Sequence, residues 1–362
     1  MNKPLKVAVG ISGTQWDKRF ASALEEKIDG GLLCYEFVDL ARHDWLETVR
    51  PFEAVIWKPH TMGIIGSSHF KEKIYVLDCL LKKLVVPNYS TIWHFESKIA
   101  QNYLFTIHNL PTPRTIATFS RQDAEQQLRA ASMPLVFKRS SGAASKYVEL
   151  VRSVGRGLRS CARAFCGQRY RETSTRYGSR RKAVLHSFCK PWFWSFIRHY
   201  LADREPDGCL YWQEYLPGND ADLRITVIGD RYAYGFWRLN REGDFRASGS
   251  GRIDYQRAIP EEPLRYCLEV SRRLEFDTMA YDILFKDGKF VISEISYGYL
   301  DSAPYRAAGY YELRTDGHLD FIPRHTWPQT LWIEWLLERA DRRGILHECS
   351  GRSAIDDHPR NE

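Results

Sequence analysis

The stretch "YDILFKDGKFVISEIS", residues 281 to 296, places a carboxylate near each end of two apolar runs joined by Lys-Asp-Gly. Asp282 and Glu294 interrupt Ile, Leu, Phe and Val that otherwise read as a β-hairpin. A two-residue turn at Asp287-Gly288 would pair Asp282 with Ser293 and send Glu294 to the opposite face. A three-residue loop of Lys286, Asp287 and Gly288, with Gly288 left-handed, slips the pairing by one. Asp282 and Glu294 then lie diagonally on one face, with Ser296 beside Glu294. The expectation is the three-residue loop, because two carboxylates and a hydroxyl on one face form hard oxygen ligands suited to Mg²⁺. A surface hairpin with solvated acids explains the same residues when they are taken alone.

Two further stretches carry residue types that handle phosphate. In "PLVFKRSSGAASKYVELV", Lys138 ends an apolar strand and precedes a small-residue loop, where backbone N–H groups could approach a phosphate beside a point charge. It is not a Walker A sequence, and an ordinary hairpin with a polar tip fits it equally well. In "YWQEYLPGNDADLRITVIG", the run Gln213, Glu214, Tyr215 and Leu216 is broken by Pro217-Gly218. Such a segment can edge an adenine with backbone groups while apolar neighbours cover the ring. Arg224, Arg238 and Arg246 recur on or beside the following strands, where several guanidiniums could clamp a carboxylate or phosphate.

The elements that must position these residues follow from periodicity. "LKVAVGI" and the amphipathic "TQWDKRFASALEEKI" read as strand then helix, and "LLCYEFVDL", "FEAVIWKP" and "KKLVVPN" as further strands. This alternation predicts a small α/β domain with a parallel sheet. Gly10 and Gly13 follow its first strand, where a tight strand-to-helix turn explains them better than a dinucleotide fingerprint. Beyond it, strands with antiparallel turns and a few helices, one around 261 to 275, predict an α+β body. The 362 residues, 44% hydrophobic and 14% aromatic, can bury a large core in two or three domains. Eight scattered cysteines without a CxxC pair read as reduced thiols. No secretory-signal core and no run near the ~20 apolar residues of a membrane span is evident, so a cytoplasmic location is expected.

Together these stretches resemble the ATP-grasp superfamily, in particular RimK-type glutamate ligases and glutathione-synthetase-like enzymes. The ordered set carries the resemblance: Lys98 in a helix, "PLVFK" at Lys138, "QEYL" at 213 to 216, "DLRITVIGD" at 222 to 230, "REGDFR" at 241 to 246, then Asp282 and Glu294. It spans about Trp93 to Gly298. A branch associated with bacterial surface-polysaccharide gene clusters looks closer still, in "PGND", "DFRASGSG" and "EISYG".

The resemblance implies an α/β and α+β ATP-grasp fold. Residues 1–90 would form a Rossmann-like pre-ATP-grasp domain and 91–114 a connecting helix. Residues 115–212 would form a lid subdomain with a basic insertion at about 155–205. Residues 213–340 would carry the metal site, and 341–362 a tail. It implies a ligase that uses ATP and Mg²⁺ to join a small-molecule carboxylate and an amine, on a sugar or amino-acid substrate that could be glycan-linked. Lys98 and Lys138 would contact ATP phosphates, and Glu214 with Tyr215 the adenine. Asp222 would reach the ribose or nearby groups, and Arg246 and Ser248 the γ-phosphate and acyl group. Asp282 and Glu294 would hold Mg²⁺. Ser296 stands where the family usually has Asn, and Ala143, Ala144 and Ser145 replace later loop glycines. A non-catalytic nucleotide-binding protein with the same fold is the rival reading, and Ser296 is its best support.

The net charge of +7 is concentrated. Between Arg152 and Arg198 stand twelve Lys or Arg residues against one acid, Glu172, a local excess of +11. A solvated elaboration of the lid is the first reading. Trp192, Phe193, Trp194 and Phe196 beside Lys190 and Arg198 raise peripheral membrane contact as the second. Nucleic acid comes last, because no nucleic-acid motif accompanies the charge, and none is expected as a partner.

Overall fold

The computed structural model describes residues 4–28, 31–59, 67–140, 148–166, 208–246 and 250–346. They fall into two compact units. The first comprises residues 1–92, 275–277 and 326–362. Its strands β1 (Leu5–Gly10), β2 (Leu33–Val38), β3 (Ala54–Trp57) and β4 (Leu84–Val86) form a parallel sheet in the order β2-β1-β3-β4. Val7, Ala8, Val9 and the whole of β3 are buried, as expected for a parallel sheet covered on both faces. After β1, Gly13 adopts φ +69°, and the Asp17 carboxylate accepts from the Ser12 and Gly13 N–H groups at the start of helix Gln15–Ile28. This is the tight-turn reading of the glycines. Trp16 and Phe20 of that helix pack on Trp332 of helix Pro328–Arg342, with ring centroids 5.2 and 5.8 Å apart. That C-terminal helix thus groups with the first unit, although the expectation assigns its residues to the 213–340 region.

The second unit comprises residues 93–274 and 278–325 and holds two antiparallel sheets. The smaller has the order β5 (Thr115–Thr118), β8 (Leu210–Glu214), β6 (Leu135–Lys138), β7 (Val148–Val151). Helices Arg121–Ala130 and Val154–Cys166 cover one face, through a core that includes Leu128, Phe137, Cys161, Ala164 and Trp212. Gly157 lets the helices meet: a Cβ there would lie 2.6 Å from the Leu128 methyls. This second helix is the opening of the basic segment, and its charge has a local use. Arg156 and Arg163 bond to the Glu149 carboxylate at 2.7 and 2.6 Å. Burial alone would raise that carboxyl's pKa, but the two guanidiniums bring it below the usual carboxylate value. Trp192, Phe193, Trp194 and Phe196, with Lys190 and Arg198, lie outside the described residues.

The larger sheet runs β13 (Lys289–Ser296), β12 (Thr278–Lys286), β9 (Ala221–Ile228), β10 (Tyr232–Leu239), β14 (Tyr310–Leu313), β15 (Leu319–Ile322), with β11 (Ile253–Asp254) also on β10. Helix Glu261–Arg273 buries Leu264, Leu268 and Val270 against it, and its Ser271 hydroxyl meets the Tyr281 hydroxyl at 2.7 Å. The opposite face of the central strands carries the charged residues of the candidate site.

Candidate functional site

A cavity of about 480 Å³ lies within the second unit, and it collects residues from both sheets. Lys98, Lys138, Gln213, Glu214, Tyr215, Leu216, Asp222, Arg224, Arg238, Arg246, Asp282, Glu294 and Ser296 all line it. Ser248 lies outside the described residues.

The hairpin differs from its expected form in a way that preserves the shared face. Lys286 pairs with Lys289, so the turn is the two-residue Asp287-Gly288, with φ +50° and +77°. Positive φ at both central residues is the type I′ signature, whose twist suits two adjoining strands. The expected three-residue loop is therefore corrected. The register then shifts between Asp282 and Ile283, and Ser293 is the extra residue, so that Asp282 stands directly opposite Glu294. A bulge accomplishes what the longer loop was expected to do. Ser293 lines the cavity as well, and its hydroxyl donates to the Asp282 carbonyl at 3.0 Å.

Alternation along the neighbouring strands builds a charged network on the same face. Arg224 pairs with Asp282 across β9–β12, and Asp222 with Arg238 across β9–β10. Arg224 holds Asp282 with both Nε and Nη2, at 2.7 and 2.9 Å. Arg238 holds Asp222 with two bonds of 2.6 Å and touches Asp282 at 2.7 Å. Burial raises the pKa of the Asp282 carboxyl, but the two guanidiniums outweigh it and the net shift is downward. Burial opposes the Arg238 charge, yet Asp282 and Asp222 hold it firmly protonated. The sequence reading gave Asp222 to a ribose and both arginines to substrate or phosphate. Each of the three has a carboxylate or guanidinium of the chain itself as its partner here.

Lys98 opens helix Lys98–Ile107, whose N-terminus is capped by the Ser97 hydroxyl, and its backbone N–H donates to the Ser140 carbonyl at 2.9 Å. Lys138 ends β6 and donates to Gln213 Oε1 at 2.6 Å. The Gln213 amide nitrogen is itself held by Tyr211 Oη and Thr115 Oγ1, at 2.9 and 3.2 Å. Gln213 is thereby fixed as an acceptor for Lys138. Lys138 is partly exposed and lines the cavity. Burial lowers its pKa to about 8, helped by Lys98 and opposed by Glu294 and Asp282. The Glu214 carboxylate accepts from the Arg114 N–H and from Lys286, so its side chain is already satisfied. Val136, Val148, Phe236, Phe245 and Leu284 supply apolar walls. Asn219 was not singled out in the sequence. It exchanges two bonds with the Phe285 backbone and ties the Pro217-Gly218 break to β12.

No protein-family model matches the chain. The α-aminoadipate–LysW ligase LysX of Saccharolobus solfataricus is 22% identical over 213 residues, covering 59% of this chain. The match spans 65% of that relative's length. A RimK domain ATP-grasp protein from Sphaerobacter thermophilus superposes with a TM-score of 0.50 at 12% identity, over 80% of this chain and 90% of its own. D-alanine–D-alanine ligase from Bacillus anthracis gives 0.52 at 12%, over 94% and 98%. The ATP-grasp ligase PsnB, solved with a minimal precursor, gives 0.52 at 15%, over 84% and 95%. The chain has the ATP-grasp fold.

Within that fold the oxygen donors fit a hard cation. Among the described residues no three His, Cys, Asp or Glu side chains form a metal cage. Mg²⁺ does not need one, since it keeps waters and is commonly bound through one or two carboxylates together with substrate phosphates. The Glu294 side chain makes no hydrogen bond or ion pair among the described residues, although its charge acts on Lys138, and the residue pairs with Asp282 across the hairpin. Ser296 Oγ accepts from the Gly298 N–H at 3.1 Å, leaving lone-pair capacity on the same face.

Proposed function

We propose that this ATP-grasp protein is an ATP- and Mg²⁺-dependent ligase that joins a carboxylate to an amine through an acyl phosphate. The observation that carries the reading is the convergence on one cavity of two lysines from separate elements, Lys98 and Lys138, with the facing pair Asp282 and Glu294. Phosphoryl transfer asks a protein for positioning and charge neutralisation rather than a nucleophile of its own. Lys98 and Lys138 bind the phosphates, and the apolar walls with the 213–216 backbone take the base. Asp282 and Glu294, with Ser296 beside them, would hold Mg²⁺, which supplies charge neutralisation between the phosphates. Arg246 stands by the transferred group.

The substrate carboxylate attacks the γ-phosphorus, and ADP leaves. The amine then attacks the acyl carbon, loses a proton and expels phosphate. Water would hydrolyse the acyl phosphate, so exclusion of solvent is part of the chemistry. The ligase names of LysX, D-alanine–D-alanine ligase and PsnB support the reaction class. A sugar or amino-acid carboxylate of surface-glycan assembly is the substrate class carried forward from the sequence resemblance.

The test is ADP release from purified protein supplied with pools of carboxylates and amines. Release that requires one member of each pool and stops on chelation of Mg²⁺ supports the proposal. Nucleotide binding without acceptor-dependent release supports the non-catalytic alternative, which Ser296 in place of Asn favours.

A further inference from the structure

Two carboxylates face each other in the hairpin, yet they are in opposite states. Glu294 is open among the described residues, whereas both Asp282 oxygens are occupied by guanidinium nitrogens of Arg224. The two arginines are also unequal. Arg238 is anchored by its own bidentate pair with Asp222 and adds a single ion pair to Asp282 at 2.7 Å. Arg224 forms its ion pair with Asp282 alone among the described residues and is the more exposed of the two, at 18% of its side chain against 10%.

We propose that Arg224 is a latch on Asp282, released only when an anion and a cation arrive together. The inference rests on the reading of Asp282 as a Mg²⁺ ligand and deepens it. A hard cation and a guanidinium compete for the same two oxygens. Without nucleotide, Arg224 would lose two charge-assisted bonds and remain in a largely buried place with no new partner, a strongly unfavourable exchange. With nucleotide, the phosphates offer Arg224 another anion, while Arg238 stays fixed by Asp222. The device therefore couples cation affinity to nucleotide occupancy, and the coupling must be reciprocal. It also keeps Asp282 compensated until nucleotide and cation bind.

The test is calorimetric titration of Mn²⁺ alone into nucleotide-free protein, so activity plays no part in the readout. Arg224→Gln should bind Mn²⁺ about tenfold or more tightly than the parent, because the guanidinium that occupies both Asp282 oxygens is gone and only the single Arg238 contact remains. Arg224→Lys, which keeps charge but loses the fork, should fall between them. Adding Asp282→Asn to Arg224→Gln should abolish the gain. In the parent, ADP should raise Mn²⁺ affinity by a larger factor than in Arg224→Gln. An Arg224→Gln protein that binds Mn²⁺ no better than the parent overturns the latch, as does a gain that survives Asp282→Asn. A separate titration of ATP with Mg²⁺ into the parent tests the ligase reading. Its failure with an intact Mn²⁺ gain would sink that reading and the nucleotide coupling, leaving only the competition of Arg224 with a cation for Asp282, whereas ATP binding without a Mn²⁺ gain would keep the reading and remove the latch.

Discussion

Asp282 and Glu294 stand directly opposite each other although the turn between their strands has two residues, because Ser293 is bulged out of register. The pair is asymmetric: Asp282 is bonded to Arg224 and Arg238, while Glu294 has no bonded partner among the described residues. Glu294→Gln should therefore shift the urea midpoint little, since no hydrogen bond or ion pair among the described residues is removed and only its charge on Lys138 is lost. Apparent Mg²⁺ affinity in the presence of nucleotide should fall by at least about tenfold, the scale on which lost metal-site groups act. An unfolding midpoint that drops while Mg²⁺ affinity holds would make Glu294 a structural residue.

The turn itself yields a stability prediction. Gly288 has φ +77°, a region that β-branched residues avoid, and a Cβ there would meet nothing within 4 Å. Gly288→Val should destabilise by about 1–2 kcal/mol through backbone strain alone. Asp287→Asn should be close to neutral, because Asn tolerates the left-handed region equally well. Denaturant midpoints of the two variants check this.

Lys138 makes two pH effects run in opposite directions. Its pKa, lowered by burial from 10.5 to about 8, means that the folded chain releases this proton before the unfolded chain does. Between about pH 8 and 10.5 the unfolded state binds more protons, so this group's contribution to stability rises with pH. If the charged ammonium holds a phosphate, ATP affinity should weaken over the same climb. Lys138→Met should flatten the stability effect and weaken ATP binding about 10- to 100-fold near neutrality, the range of a lost charge-assisted bond. Melting temperature and nucleotide titration against pH read the two effects separately. A parent whose ATP affinity is flat from pH 7 to 9.5 would contradict the phosphate role.

Much of this arrangement is legible in the sequence because local patterns dictate it. The apolar runs at 5–10 and 84–86 and the alternation at 221–228 specify strands, and the acids that interrupt 281–296 mark a face with another use. The bulge at Ser293 was not legible. Turn chemistry at Asp287-Gly288 and the demand for a common face conflict, and only tertiary pairing with β9 resolves the conflict. The partners of Arg224 and Arg238 were equally hidden. Strand alternation puts residues 222 and 224 on one face, but which strands flank β9 is a matter of long-range order. The helix Pro328–Arg342 joins the first unit through Trp332, a contact more than 300 residues from Trp16 and Phe20 that periodicity does not encode.

Arg246 is where a structural and a catalytic role make different measurements. Its backbone N–H and its Nε donate to Asp244, at 3.1 and 3.0 Å, and the pair closes the turn after Asn240. Burial would raise the Asp244 carboxyl, but the bonds from Arg246 bring it below the usual value. That pairing alone predicts a small loss of stability on removal. Arg246 also lines the cavity that holds Asp282 and Glu294, with only 9% of its side chain exposed. If it offsets charge that grows during transfer, its interaction strengthens in the transition state. Arg246→Ala should then lower turnover by about 10²- to 10³-fold while changing ATP affinity far less. Asp244→Asn is the control, because it breaks the same ion pair and leaves the guanidinium in place. Its turnover should stay within several-fold of the parent, with a similar shift in melting temperature. Equal turnover losses in the two variants would assign Arg246 to the turn and remove it from the reaction.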